Sequence, residues 1–215
     1  GVAACLVLML GGAFGFYTYN TNYTMASTVS LDVNPSIQIA VNQKERVLDV
    51  VVLNEDGRTV IGDMNFSGSD IDVTVNALIG SMLRNGYLSE LANTILISVD
   101  NNDPVKSAAL QERLTQEIDA LLQTDSFTGA VLSQTIIHDS SLQQMADQYG
   151  ITVGKAQLIQ EILKGDARHT FEELAPLTIN ELNLIIESGT VPPEVVSSVG
   201  IASDKAYIGE EKAKD

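Results

Sequence analysis

The stretch Leu31-Asp32-Val33-Asn34-Pro35-Ser36-Ile37, written LDVNPSI, sets an Asn–Pro bond between two runs that read as neighbouring β-strands. Upstream, Val29, Leu31 and Val33 share one parity and fall on one face of a strand. Downstream, Ile37, Ile39 and Val41 alternate with Ser36, Gln38 and Ala40 in the same way. Proline has no N–H to offer a ladder, so Asn34-Pro35 reads as a tight loop between two strands.

The pattern extends outward from this point. Asn42 to Glu45 reads as a turn, Val47 to Leu53 as a third strand, and Asn54-Glu55-Asp56-Gly57 as the turn that ends it, Asp-Gly being a strong turn signal. The period changes over Asp70 to Leu83, where Val75, Leu78, Ile79 and Met82 recur at three- and four-residue spacing, predicting an amphipathic helix capped by Ser69 or Asp70. Thr94 to Val99 reads as a buried strand. Asp103-Pro104 opens a helix running to about Gln123, with the proline where a missing N–H costs little. Ala130 to Ile137 completes the set. The order β-β-β-α-β-α-β over residues 27–137 predicts an α+β fold, a mixed or antiparallel sheet covered by two helices on one face with the other face solvated. Residues 138–188 read as a small helical region of four short helices, and residues 189–215 as a flexible tail or linker.

The start of the chain differs from the rest. No Asp, Glu, Lys or Arg occurs before Asp32, and Gly1 to Phe16 is apolar throughout. Tyr17, Tyr19 and Tyr23 follow, as amphipathic rings do at a membrane interface. Residues 1–19 are therefore expected to form a transmembrane helix, short of the ~20 residues a bilayer requires unless the span begins earlier. Residues 20–26 then form a tether, and the chain is placed at the cell membrane as a single-pass protein with everything after about residue 19 outside the cytoplasm.

Composition bounds the function. With 215 residues and 45% apolar content the chain can build a sizeable core without metal or disulfide support. The formal charge of −16, from 28 acidic and 12 basic residues, argues against nucleic acid as a partner. Cys5 is the only cysteine, which excludes an intrachain disulfide. His138 and His169 belong to no metal-spaced cluster, DNNDP at Asp100 to Pro104 lacks the length and terminal glutamate of a calcium loop, and Asp139-Ser140-Ser141 reads as a helix cap. Neither a cofactor nor a metal site is expected, nor a conventional enzyme activity.

Asn34-Pro35 is the one place with chemistry of its own. An asparagine ordinarily cyclises when the next backbone nitrogen attacks its side chain, a route Pro35 suppresses. The reverse attack remains: the Asn34 carboxamide nitrogen approaches its own backbone carbonyl carbon, expels the Pro35 nitrogen and cuts the chain. A fold accelerates such a step by holding the reacting atoms at ~3–3.5 Å and stabilising the oxyanion. Asp32 and Ser36 are the neighbouring groups able to accept or deliver a proton, so Asn34, Pro35, Asp32 and Ser36 form the candidate site, set against the plainer reading of a structural loop.

The segment from Ser30 to Gly57, SLDVNPSIQIAVNQKERVLDVVVLNEDG, resembles the juxtamembrane domain of RsgI-type transmembrane anti-sigma factors, and the likeness continues through the Asp70–Leu83 helix, ISVDNND at Ile97 to Asp103 and YGITVGKAQLIQEIL at Tyr149 to Leu163. The resemblance implies a relay of an extracytoplasmic signal, self-cleavage at Asn34–Pro35 and fragments that stay noncovalently associated. It implies a sigma factor bound by a cytoplasmic domain outside this chain, an intramembrane protease acting on the anchor, and in some relatives a C-terminal sensory module. The alternative is an uncleaved, membrane-anchored extracytoplasmic module that binds a protein through the acidic helical region Ser140 to Glu187.

Overall fold

A computed structural model describes residues 17–89, 94–124, 127–128, 130–190 and 200–202. Strands β1 (Ser27–Asp32), β2 (Ser36–Val41), β3 (Val47–Val52) and β4 (Thr94–Asn101) are followed by a small ribbon, β5 (Gln123–Thr124) with β6 (Phe127–Thr128), and then by β7 (Ala130–Thr135) and β8 (Gly200–Ala202). All but the ribbon join one six-stranded sheet in the order β3-β2-β1-β4-β7-β8. The sheet is mixed, because β7 runs parallel to β4 while the other neighbours are antiparallel. β1 lies inside it, hydrogen-bonded along its whole length to β2 on one side and β4 on the other.

The helices are α1 (Glu55–Ile61), α2 (Ile71–Arg84), α3 (Pro104–Leu122), α4 (Ser140–Tyr149), α5 (Val153–Gly165), α6 (Phe171–Leu174) and α7 (Ile179–Ile185). On one face of the sheet Val29, Leu31, Ile37, Ile39, Ile95, Ile97 and Val99 pack with Val75, Leu78, Ile79 and Met82 of α2 and Leu110, Leu114, Ile118 and Leu122 of α3. This is the predicted stripe-on-strand packing. The start of α3 is also as read: the Asp103 carboxylate accepts from the Val105 and Lys106 N–H groups, with Pro104 at the first helical position.

The opposite face departs from the expectation of a solvated surface. Leu96 and Leu132, of the other parity, are fully buried with Leu158, Ile159 and Ile162 of α5, Leu174 of α6 and Ile179 and Leu182 of α7. The helical region is thus a second layer that covers the sheet. Two Leu side chains among Ser30, Asp32, Ser98 and Gln134 make this face look polar in sequence, yet those polar groups are buried too. Glu173, within the acidic helical region, closes a capping box with Thr170.

Two further expectations are corrected. Asn54 to Gly57 begins a helix rather than a turn: the Asn54 side chain caps α1 by accepting from Gly57 N–H at 2.9 Å. Within the stretch read as tail from residue 189, Gly200–Ala202 pairs with β7, while residues 191–199 and 203–215 lie outside the described residues.

The membrane-spanning helix is not upheld. Residues 1–16, on which most of that expectation rests, lie outside the described residues, and among the described residues no helix is long and apolar enough to cross a membrane. The long helix α3, of 19 residues, carries Lys106, Glu112, Arg113, Glu117 and Asp119. The single-pass relay and the cell-membrane placement fall with the span that supported them.

Candidate functional site

Asp32 pairs with Ser36 across the β1–β2 hairpin, leaving Val33, Asn34 and Pro35 as its tip. Val33 N–H donates to the Pro35 carbonyl at 3.0 Å. Pro35, with no N–H, leaves the return bond unmade, and the Val33 carbonyl accepts instead from Ile179 N–H at the start of α7, also at 3.0 Å. The proline that looks misplaced beside a strand therefore frees a carbonyl for the second helical layer. Pro35 is buried and Asn34 exposed.

Both functional groups of Asn34 are held by the segment that opens α1. Asn34 Nδ2 donates to Asp56 Oδ2 at 2.6 Å, and Asn54 Nδ2 donates to the Asn34 backbone carbonyl oxygen at 2.6 Å. The orientation of the Asn54 amide is fixed by its other end, since Oδ1 accepts from the N–H groups of Ser36, at 3.2 Å, and Gly57, at 2.9 Å. Backbone N–H groups only donate, so the nitrogen of that amide must face Asn34. The remaining Asp56 oxygen accepts from Tyr87 Oη at 2.8 Å. That bond, stabilising the protonated phenol beside a carboxylate, raises the Tyr87 pKa above its ordinary value.

Asp32 and Ser36 are brought to each other rather than to the Asn34 carboxamide. Ser36 Oγ donates to Asp32 Oδ1 at 2.7 Å and Thr152 Oγ1 to Asp32 Oδ2 at 2.6 Å. Asp32 is 1% exposed. Burial is the dominant influence on it and outweighs the two hydroxyl donors and the nearby Lys155, pushing its pKa up to about 6. Lys155, itself buried, is pushed below the usual lysine range by the same desolvation.

Asn54, Asp56 and Tyr87 were not among the candidates. Asp56 lies 22 positions from Asn34 and Tyr87 a further 31 from Asp56, so no local spacing connects them. The usable signal was Asn54-Glu55-Asp56-Gly57, which fits a capped helix start as well as a turn. Chemically, the site sets a carboxylate on the N–H of a carboxamide and an amide donor on the adjacent peptide carbonyl.

Comparison with known proteins identifies the family. Residues 26–161 match the model of the anti-sigma factor RsgI-like central domain, a span that holds β1, the hairpin tip, α1, Tyr87 and Thr152. The chain is 30% identical over 182 residues to the anti-sigma-I factor RsgI7 of Acetivibrio thermocellus, covering 84% of this chain and 33% of that protein. It is 25% identical over 195 residues to RsgI9 of the same organism, covering 88% and 27%, and 20% identical over 129 residues to the anti-sigma-I factor RsgI of Bacillus subtilis, covering 59% and 32%. The chain belongs to the RsgI-like anti-sigma factor family. It spans about a third or less of the length of these relatives.

Proposed function

We propose that this domain cuts its own chain once, between Asn34 and Pro35, and then holds the two pieces together as one folded unit. The observation that carries the reading is the position of that bond. It sits at the tip of a hairpin whose first strand, β1, is bonded to β2 and β4 on its two sides, so scission at the tip leaves both ladders of β1 intact. Val29 and Leu31 on that strand, and Val33 just beyond its end, remain buried. Each contributes up to ~1.5–3 kcal/mol, an upper guide that makes the association stable yet separable.

In the whole protein, a sigma factor is the partner that the family implies, held by a region outside this chain. Separation of the pieces is the event that sets the sigma factor free, with a protease removing the released N-terminal piece and a sensory region elsewhere supplying the cue. The test is denaturing electrophoresis of the folded wild-type chain beside Asn34→Ala. Two fragments with a new N-terminus at Pro35, absent from the variant, support the reading. An intact wild type rejects it in favour of an uncleaved binding module.

A further inference from the structure

The groups around Asn34 do more than fix a loop. We propose that Asp56 acts as the base and Asn54 as the oxyanion donor for scission of the Asn34–Pro35 bond, an assignment that rests on the self-cleavage reading above. The residue after the bond is proline, which carries no hydroxyl or thiol to start an acyl shift. Ser36, one position further, has its hydroxyl committed to Asp32 at 2.7 Å. The remaining local nucleophile is the Asn34 carboxamide, and its N–H is already on a carboxylate, Asp56 Oδ2, at 2.6 Å.

The step balances without any outside reagent. Asn34 Nδ2 gives a proton to Asp56 and forms a bond to its own backbone carbonyl carbon, closing a five-membered ring. The carbonyl π pair moves onto the Asn34 oxygen, where the Asn54 Nδ2–H group waits at 2.6 Å. Collapse breaks the bond from that carbon to the Pro35 nitrogen, which keeps the electron pair and takes the proton back from Asp56. The products are a C-terminal succinimide at residue 34 and a secondary amine at Pro35. Water then opens the ring.

Asn54 is suited to this role because it is held from behind. Its oxygen takes two backbone N–H groups, one of them from Ser36 on the leaving side of the bond. The donor is therefore preorganised by the α1 cap and needs no rearrangement as charge develops. Gly57 permits the approach: a Cβ there would lie 3.2 Å from the Ser36 carbonyl oxygen and 3.3 Å from Asn54 Oδ1.

The test is cell-free synthesis of the full chain, quenched in denaturant at intervals, with fragment yield and fragment mass read together. Asp56→Asn keeps an acceptor at the same place but removes the base, and slows scission by ~10²–10⁴-fold. Asp56→Glu restores part of the rate. Asn54→Asp keeps the oxygen that caps α1 and replaces the donor, slowing scission by ~10²–10³-fold while thermal unfolding shows the fold intact. The early wild-type N-terminal fragment is one water lighter than the hydrolysed form. Equal rates in wild type, Asp56→Asn and Asn54→Asp overturn the assignment while leaving self-cleavage standing, as does an N-terminal fragment that never passes through the dehydrated mass. A wild type that yields no fragments overturns both.

Discussion

Thr152 Oγ1 donates to Asp32 Oδ2 at 2.6 Å, joining the mouth of the β1–β2 hairpin to the cap of α5 across 120 residues of chain. The same hydroxyl oxygen accepts from Lys155 N–H at 2.9 Å, so one side chain both starts the helix and satisfies a buried carboxylate. Ile179 N–H, on the Val33 carbonyl, makes the second such link. The helical layer therefore grips the strand that would be severed, on the side of the sheet away from α2 and α3.

Asp32 gives this grip a pH dependence. Its pKa rises from 3.8 to about 6 on folding, so between those values the folded chain binds more protons than the unfolded one. Its contribution to stability is greatest below pH 3.8 and is lost as pH rises through about 6, by roughly 3 kcal/mol in all. Denaturant titrations across this window should show that loss in the wild type and a much flatter profile in Asp32→Asn, with Lys155 and Ser36 unchanged.

Removing the partner has the opposite character. Thr152→Val leaves Asp32 Oδ2 without its hydroxyl donor and α5 without its cap bond, and should destabilise the chain at neutral pH by ~1–3 kcal/mol. Because that hydrogen bond lowers the Asp32 pKa, its loss should also move the titration of Asp32 upward, which carboxyl NMR shifts would report.

Gly154 tests the packing of the same layer. A Cβ at this position would lie 2.0 Å from Ser98 Oγ and 2.5 Å from Ser98 Cβ. Gly154→Ala should cost ~1–3 kcal/mol or more in equilibrium unfolding, and Ser98→Gly in the same chain should recover much of it.

The strand itself makes a fourth test. Leu31 is fully buried in the core beside α2 and α3. Leu31→Ala should lower stability by ~2–5 kcal/mol, and in cut protein the pieces should part at a correspondingly lower denaturant concentration, measured by size-exclusion chromatography.

The first layer was legible in the sequence because its signals are local and periodic. Val29, Leu31 and Val33 declare a strand, Val75, Leu78, Ile79 and Met82 declare a helix, and Asp103-Pro104 marks a helix start that the structure reproduces. The second layer was legible only as helices. Its docking depends on Leu96 and Leu132 standing among buried Ser30, Ser98 and Gln134, and burial of such polar side chains is settled by partners far away in the chain, as Gln134 Nε2 shows in reaching Ser98 Oγ and the Gly154 carbonyl. The site divides in the same way. Asn34-Pro35 stands out by composition alone, whereas Asp56 and Asn54 reach it only because α1 folds back against the hairpin. Asp-Gly within that helix was read as a turn, since both structures begin with an asparagine accepting from a nearby backbone N–H.

The most direct test is the mass of one folded wild-type sample taken twice, under native and under denaturing conditions. The account predicts a single native species with the mass of the whole chain plus the one water that opened the ring, resolved on denaturation into two components that meet at Asn34 and Pro35. One uncut component under both conditions, from chain that unfolds cooperatively, would contradict it.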